Sequence, residues 1–368
     1  MNTLPPKHIN NNVELIKQNI NVLLVDGNAI FKYSYTGNKN DYNKYNQHIG
    51  GVITFLKILR RLLYENTFNK VYVSWDGRWS GKLRYNIYKD YKGNRKGKDF
   101  INGNILDKQE YTEILQIKKY LAELAIRQFE HSYIESDDFI AYYCLNKPSN
   151  ERITILTIDT DLLQLINNDV RVYLANSKNY ITITNFSKFF KFHLDNCVLI
   201  KMICGDASDN IKGIRGVQLQ TLLKYFPDLI TKKLTIDELI IQAKIIDRER
   251  IYDKKDALSA IENIIFKKTD GIQGDKIYKI NEQLINLNPP MVPKKYEEDI
   301  NKLINGVYNV DKDGIKNVLK MMKDDGLIYL INEFYISDFL MPYKKLMERE
   351  KKLLNEYIDN NNENQINE

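Results

Sequence analysis

Two periodicities divide the chain. Residues 21–26 (NVLLVD), 70–75 (KVYVSW), 152–158 (RITILTI) and 170–174 (VRVYL) are short runs of apolar and β-branched residues, the pattern of strands buried on both faces. Residues 47–64, 109–128, 217–226, 237–268 and 296–347 carry apolar residues at helical spacing instead. Residues 133–145 (YIESDDFIAYYCL) read as a helix whose first turn is acidic. Strand, helix, strand succession predicts an α/β fold, with a mostly parallel central sheet flanked by helices. Ligands of such sheets bind outside the carboxyl ends of the strands. Three of these strands end in acids there: Asp26, Asp76, and the pair Asp159 and Asp161. A turn-forming Asp explains any one of them; three strands ending this way point to a shared site.

Composition adds bounds. The chain has 368 residues, 43% hydrophobic and 28% charged, ordinary values for a globular protein with room for one large domain or two smaller ones. No apolar run reaches the length of a membrane span, and residues 1–20 lack the apolar core of a signal peptide. Cys144, Cys197 and Cys204 form an odd set with no zinc-like spacing, the usage of reduced intracellular thiols. A cytoplasmic location is expected. Residues 287–295 (LNPPMVPKK) hold three of the eight prolines and mark a boundary. The expected organisation is a polar lead-in (1–20), a catalytic domain (21–290), a helical region (291–347) and a charged, disordered tail (348–368).

The net charge of +6 matters less than its placement. Glu135, Asp137 and Asp138 fall within four positions. At an effective dielectric near 20, two such carboxylates about 4 Å apart cost on the order of 4 kcal/mol. Helix capping would need only one or two of them. Asp206 and Asp209, three apart, would face the same way on a helical turn. Residues 210–216 (NIKGIRG) then predict a hairpin whose Gly213 and Gly216, flanking Arg215, let backbone approach a phosphate. Residues 81–98 hold Lys82, Arg84, Lys89, Lys92, Arg95, Lys96 and Lys98 against the single acid Asp90. Tyr85, Tyr88 and Tyr91 interleave with them and either stack on unpaired bases or pack on the core. So many carboxylates without a histidine motif suit Mg²⁺ or Mn²⁺, which take oxygen ligands. Two such ions suit phosphodiester hydrolysis.

The elements VDGNA around Asp26, WDG at Asp76, and Arg84 followed by YKGNR (91–95) occur in order with ESDD (135–138), TIDTDLLQL around Asp159 and Asp161, and GDASDNIKGIRG (205–216). Together they resemble the flap endonuclease and 5′ nuclease family, with its PIN-like domain, from about residue 21 to 226 and more weakly to 345. The segment SGKLRYNIYKDYKGNRKGK is most similar to the bacteriophage ribonuclease H / 5′-3′ exonuclease branch, whose task is primer removal. The resemblance implies Asp26, Asp76 and Asp137 nearer one metal ion and Asp159, Asp161 and Asp209 nearer a second. Glu135, Asp138 and Asp206 would be direct or water-mediated ligands. It implies Arg84 and Lys92 on the scissile phosphate, at the base of a basic arch over about 81–108 that admits the 5′ strand. A helix–turn–helix over about 197–227, with Gly213 and Gly216, would grip duplex DNA, often with K⁺. There the chain departs from the family, with Val217, Gln218, Leu219 and Gln220 where a small residue and a lysine are usual.

The expected function is therefore structure-specific cleavage at 5′ flaps or 5′ ends of DNA or RNA–DNA duplexes, by a monomer. The alternatives are a PIN-like ribonuclease acting on RNA and a non-catalytic binding protein of the same fold. Residues 334–343 (FYISDFLMPY) offer a dock for a sliding clamp or single-strand-binding protein, or else core aromatics.

Overall fold

The computed structural model of the chain describes residues 19–94, 98–99, 103–104, 108–252, 259–269, 276–306, 310–328 and 335–366. Arg95, Lys96 and almost all of the lead-in lie outside them. The first half runs β1 (Ile20–Asp26), α1 (Gly27–Gly37), α2 (Gly50–Glu65), β2 (Lys70–Asp76) and α3 (Lys82–Ile87). The short ribbon β3 (Lys98–Asp99) and β4 (Gly103–Asn104) precedes α4 (Lys108–Glu123), β5 (Arg127–His131), α5 (Ser136–Asn146), β6 (Glu151–Thr157), β7 (Val170–Leu174) and β8 (Asn179–Ile181). Next come α6 (Phe186–Phe189), α7 (Cys197–Cys204), the hairpin strands β9 (Gly205–Asp206) and β10 (Ile211–Lys212), α8 (Leu219–Tyr225), α9 (Asp228–Thr231) and α10 (Ile236–Tyr252). The last elements are α11 (Ser259–Ile265), α12 (Lys276–Ile285), α13 (Lys294–Asn305), α14 (Gly314–Asp324) and α15 (Ile336–Ile366).

The main sheet has the order β5-β2-β1-β6-β7-β8, parallel except for β8. Its strands are apolar throughout because both faces are covered. On β1, Leu23 and Val25 enter one core with Val71, Val73 and Trp75, under α2 and α4. Val22 and Leu24 enter the other with Tyr72, Ile153 and Ile155, under α5. Each such side chain contributes on the order of 1.5–3 kcal/mol of burial. In-register pairing sets Asp26 opposite Ser74, and Val25 opposite Leu156. The ends of β1, β2 and β6 are thereby brought level.

The four expected strands are present. The expected helix over 109–128 is not continuous: α4 stops at Glu123, Ala125 takes a left-handed φ of 57°, and β5 follows. β5 (RQFEH) escapes the strand pattern because it is a charged edge strand, paired only to β2. Residues 348–366 are likewise not a loose tail. They continue α15, and Glu350 is buried in a two-pronged ion pair with buried Arg127 on β5. Val318, Met322, Phe339 and Tyr343 share the sheet's own core, so α14 and α15 pack on the sheet itself.

Removing one partner of a buried ion pair leaves the other charge unpaired at a cost of about 3–5 kcal/mol. Arg127→Met or Glu350→Gln alone should therefore lower stability by that order in urea denaturation. The double change Arg127→Met with Glu350→Leu should recover most of the loss.

Candidate active site

The strand ends bring four acids from separate elements together. Asp26 closes β1 and caps α1, accepting from the Ala29 amide at 3.2 Å and from Thr157 Oγ1 at 3.0 Å. Asp76 closes β2; its amide donates to Asn28 Oδ1 at 3.0 Å and its carboxylate accepts from the Ser136 amide at 2.8 Å. That last bond ties the start of α5, and hence Asp137, to β2. Asp159 follows β6 and accepts from the Asp161 amide at 2.8 Å.

Their charges act on one another. Burial, then Asp159 and Asp76, carry Asp26 up to about 7. Burial, then Asp26 and Asp159, hold Asp137 well above the ordinary carboxylate range. Asp159 is raised by burial and, against the pull of Lys201, by Asp209 and Asp206. Asp26, Asp76, Asp137, Asp159, Asp206 and Asp209 thus form one electrostatic unit, with Asp159 acting on both Asp26 and Asp137.

Cations stand among the acids. Arg84, 4% exposed, donates to Glu135 at 2.8 Å, to both oxygens of Asp138, and to the Leu284 carbonyl at 2.9 Å. Lys92, also buried, pairs with Glu135 and lies 3.9 Å from Asp209. Burial would lower the Lys92 ammonium, but Glu135 and Tyr91 outweigh it and hold the group well above its ordinary range. The Tyr91 hydroxyl donates to Glu135 and, at 3.1 Å, to Asp209. Lys201 pairs with Asp161, and with Asp206 at 3.0 Å. Desolvation pushes Asp206 up, yet Lys201 and Ser208 bring it below the ordinary range.

Two segments interlock here. The Lys92 amide donates to the Asp209 carbonyl at 2.7 Å, Asn210 Nδ2 to the Asp90 carbonyl at 2.8 Å, and Asn94 Nδ2 to the Ala207 carbonyl at 2.8 Å. Lys92 and Asn210 both adopt left-handed φ, 55° and 58°, a conformation that costs non-glycine residues about 1–2 kcal/mol.

This set fits divalent cations in its chemistry: oxygen donors only, several of them raised by mutual repulsion. Among the described residues, no three His, Cys, Asp or Glu side chains are already arranged to hold an ion. Lysine and arginine nitrogens stand between the carboxylates instead.

Residues 21–191 match the family model described as the 5′-3′ exonuclease, N-terminal resolvase-like domain. That stretch of the chain is a 5′ nuclease domain. The chain is 29% identical to the 5′-3′ exonuclease of Mycoplasmopsis pulmonis over 289 residues, which is 75% of this chain and 90% of that protein. It is 26% identical to the DNA polymerase I of Borreliella burgdorferi over 296 residues, 76% of this chain and 31% of that protein. Its fold is similar to that of bacteriophage T5 5′-exonuclease with zinc bound, at a TM-score of 0.54 and 17% identity, covering 83% of this chain and 98% of that one. The bacteriophage T5 flap endonuclease, in a complex with DNA and metal ions, gives a TM-score of 0.53 and 17% identity, over 82% and 99% of the two chains.

Set against this 5′ nuclease fold, the sequence-predicted residues divide. Asp206 and Asp209 do not lie on a helical turn; Asp206 ends β9, accepting from the Ser208 amide at 2.8 Å, and Asp209 lies within the turn that leads to β10. Arg84 does not face solvent or a passing strand, because Glu135, Asp138 and Leu284 enclose it. Tyr91 packs with Ile211, Leu284 and Ile285, and Tyr85 and Tyr88 lie against that cluster. Lys82 and Lys89 gather over the Tyr85 ring at 5.2 and 4.6 Å. Gly213 meets its own chain, not a ligand: a Cβ there would lie 2.2 Å from the Cys204 carbonyl oxygen. Gly216 has a φ of 74° and open space beside it, and Arg215 is exposed next to it. Lys201, Thr157 and Asn28 went unread. The first sits five residues before Asp206, where it reads as the polar stripe of a helix. The other two are neutral residues adjacent to motif acids.

Two outcomes test this arrangement. Arg84→Met should cost about 3–5 kcal/mol in urea denaturation, since Asp138 stays buried without its cation. In the metal-free protein, folded Asp26 holds its proton up to about pH 7 whereas an unfolded Asp releases it near 3.8. The folded state binds more protons in that window, so this group lowers stability as pH rises through it. Asp26→Asn should then raise the melting temperature in EDTA at pH 8, and by a clearly smaller amount at pH 5, measured by calorimetry.

Proposed function

We propose that this chain is a divalent-metal-dependent, structure-specific 5′ nuclease that hydrolyses phosphodiester bonds at 5′ flaps or 5′ ends. The observation that carries the reading is the convergence of Asp26, Asp76, Asp137 and Asp159 from four separate elements at the carboxyl edge of the sheet. No structural need explains so much buried like charge. Its assembly inside a 5′ nuclease domain supplies the reason.

Two Mg²⁺ or Mn²⁺ ions are proposed, one on the Asp26, Asp76 and Asp137 side, the other on the Asp159, Asp161 and Asp209 side. Glu135, Asp138 and Asp206 would be direct or water-mediated ligands. Ions held there would offset charge on the scissile phosphate and activate water at neutral pH. The chain's own residues do the positioning. Thr157 and the Ala29 amide fix the Asp26 carboxylate, and the Ser136 amide fixes Asp76. Arg84, walled in by acids, is a positioning residue that aims Glu135 and Asp138. Lys92 is the cation placed to reach a phosphate, once ions replace it as the partner of Glu135 and Asp209.

DNA is the proposed partner, with primer removal from RNA–DNA duplexes as the proposed task. A solved relative in complex with DNA and metal ions supports the choice of DNA. Lys82, Lys89, Arg95 and Lys96 would line the path of the 5′ strand. The α7–β9–β10–α8 segment, with Gly213, Arg215, Gly216 and a bound K⁺, would hold the duplex. A monomer in the cytoplasm, working beside a clamp or single-strand-binding protein, completes the proposal. Among the described residues, no helix is long and apolar enough to cross a membrane.

Asp76→Asn and Asp209→Asn should each lower flap cleavage with Mg²⁺ by at least ~100-fold while flap binding in Ca²⁺ survives. Product mapping on labelled flap, nicked and primer-hybrid substrates reads both. Full activity in either variant sinks the reading, and cleavage confined to single-stranded RNA would replace it with a ribonuclease.

A further inference from the structure

On the edge of the sheet opposite the carboxylates, the amino ends of β1, β6 and β7 border a hollow of about 490 Å³. Asn21 lies there and Asp26 at the other end of the same strand, roughly 16 Å away at 3.3 Å per residue. Amides, hydroxyls and charged groups line the hollow, among them Asn66, Arg152, Thr154, Asn168, Asp169 and Arg171. Such a volume is ordinary for small-molecule sites.

Arg171 is the unusual member. It stands on β7, a strand with neighbours on both sides, where a guanidinium must be given acceptors. Its Nε donates to Thr154 Oγ1 at 3.0 Å and a terminal nitrogen donates to Asn66 Oδ1 at 3.1 Å. The guanidinium lies 4.5 Å from the centre of the Tyr180 ring. Asn66 is itself fixed, donating to the Tyr180 hydroxyl at 2.7 Å and the Leu62 carbonyl at 3.1 Å. All these partners are neutral, and the two bonds use two of the five N–H donors that a guanidinium has. Among the described residues, no carboxylate stands within ion-pair distance of Arg171. Arg152, its neighbour in the wall, shares Asp169 with Lys147, at 2.5 and 3.1 Å. Two arginines thus line the hollow beside one carboxylate, Asp169, and Arg171, which has no acidic partner among the described residues, is locked in place over an aromatic ring.

We propose that this hollow is an anion site for a small phosphorylated ligand, with a nucleoside monophosphate as the class that its lining fits. A phosphate would take the guanidinium edge of Arg171 together with Arg152, which suits the forked geometry of arginine. The amides of Asn66 and Asn168 and the hydroxyl of Thr154 offer the mixed donors and acceptors that a base or sugar needs. The anion site rests on the hollow alone. The choice of nucleotide rests on the nuclease reading, since cleavage from a 5′ end releases 5′-phosphorylated fragments. The hollow would then hold a product at the face of the sheet away from the chemistry.

Calorimetric titration of the full chain in EDTA tests this, using dTMP and dAMP, with thymidine and inorganic phosphate as references. The mononucleotides should bind with a dissociation constant below about 1 mM, and thymidine should not bind. Arg171→Gln should weaken binding at least ~10-fold. Asn168→Trp, which fills the mouth from an exposed position and leaves the Arg171 bonds intact, should do the same. Asp76→Asn should leave the affinity unchanged. No binding up to about 10 mM overturns the proposal. So does binding that survives both hollow variants, binding that is lost in Asp76→Asn, or inorganic phosphate binding as tightly as the nucleotides. A chain that cuts flaps without binding mononucleotides refutes the site and spares the nuclease; one that binds them without cutting does the reverse.

Discussion

Repulsion among buried carboxylates is the constraint around which this molecule is built. Asp26, Asp137 and Asp159 all lie above the ordinary range, with burial as the first cause in each case. Such groups either keep their protons or draw in positive charge. The chain supplies it from three directions, through Arg84 and Lys92 in the basic segment and Lys201 on α7. Each of these cations is also a fastener. Arg84 draws α3 onto α5, Lys92 brings the basic segment to the β9–β10 turn, and Lys201 joins that turn to the loop after β6.

The sheet serves this constraint by levelling the strand ends. Neighbouring strands in register place Asp26 beside the end of β2 and beside Thr157, and two cores hold the strands from either side. The apolar half of α5, with Phe139, Ile140 and Tyr143 buried, has the same role. It gives the acidic turn at 135–138 a rigid base, which ligands held to within about 0.5 Å require. Glu135 occupies the N-cap position of α5 without making a capping bond, its side chain being committed to Arg84, Tyr91 and Lys92. The acids at this helix start are therefore there for the site.

The fold's centre was legible because strands buried on both faces must be apolar along their whole length, as β1, β2, β6 and β7 are. The acids were legible because a strand that ends in Asp-Gly or Asp-Thr-Asp leaves its carboxylate at the edge where parallel sheets bind ligands. Legibility failed wherever tertiary contacts override local pattern. The edge strand β5 carries Arg127 and Glu130 and resembles the helix before it. Its inward charge is satisfied by Glu350, more than two hundred residues later, and no window of sequence contains both. Arg84 reads as one more lysine or arginine in a basic run, and only burial separates it from exposed Lys89. The three-residue spacing of Asp206 and Asp209 suggested a helix, but Gly205, at a φ of 75°, turns the chain out of α7 first.

The bond from Tyr91 to Asp209 spans 118 residues. Contacts of that separation form slowly, because the entropy of closing the intervening loop is spent before anything is gained. The basic segment and the β9–β10 turn lie on either side of β5, β6, β7 and β8 in the chain, so their meeting closes a loop that contains most of the sheet. Until then the carboxylates are dispersed along the chain, and nothing holds the basic segment beside them. A partly folded molecule of this kind lacks the assembled cluster of acids and cations, which is complete only with the last long-range contacts.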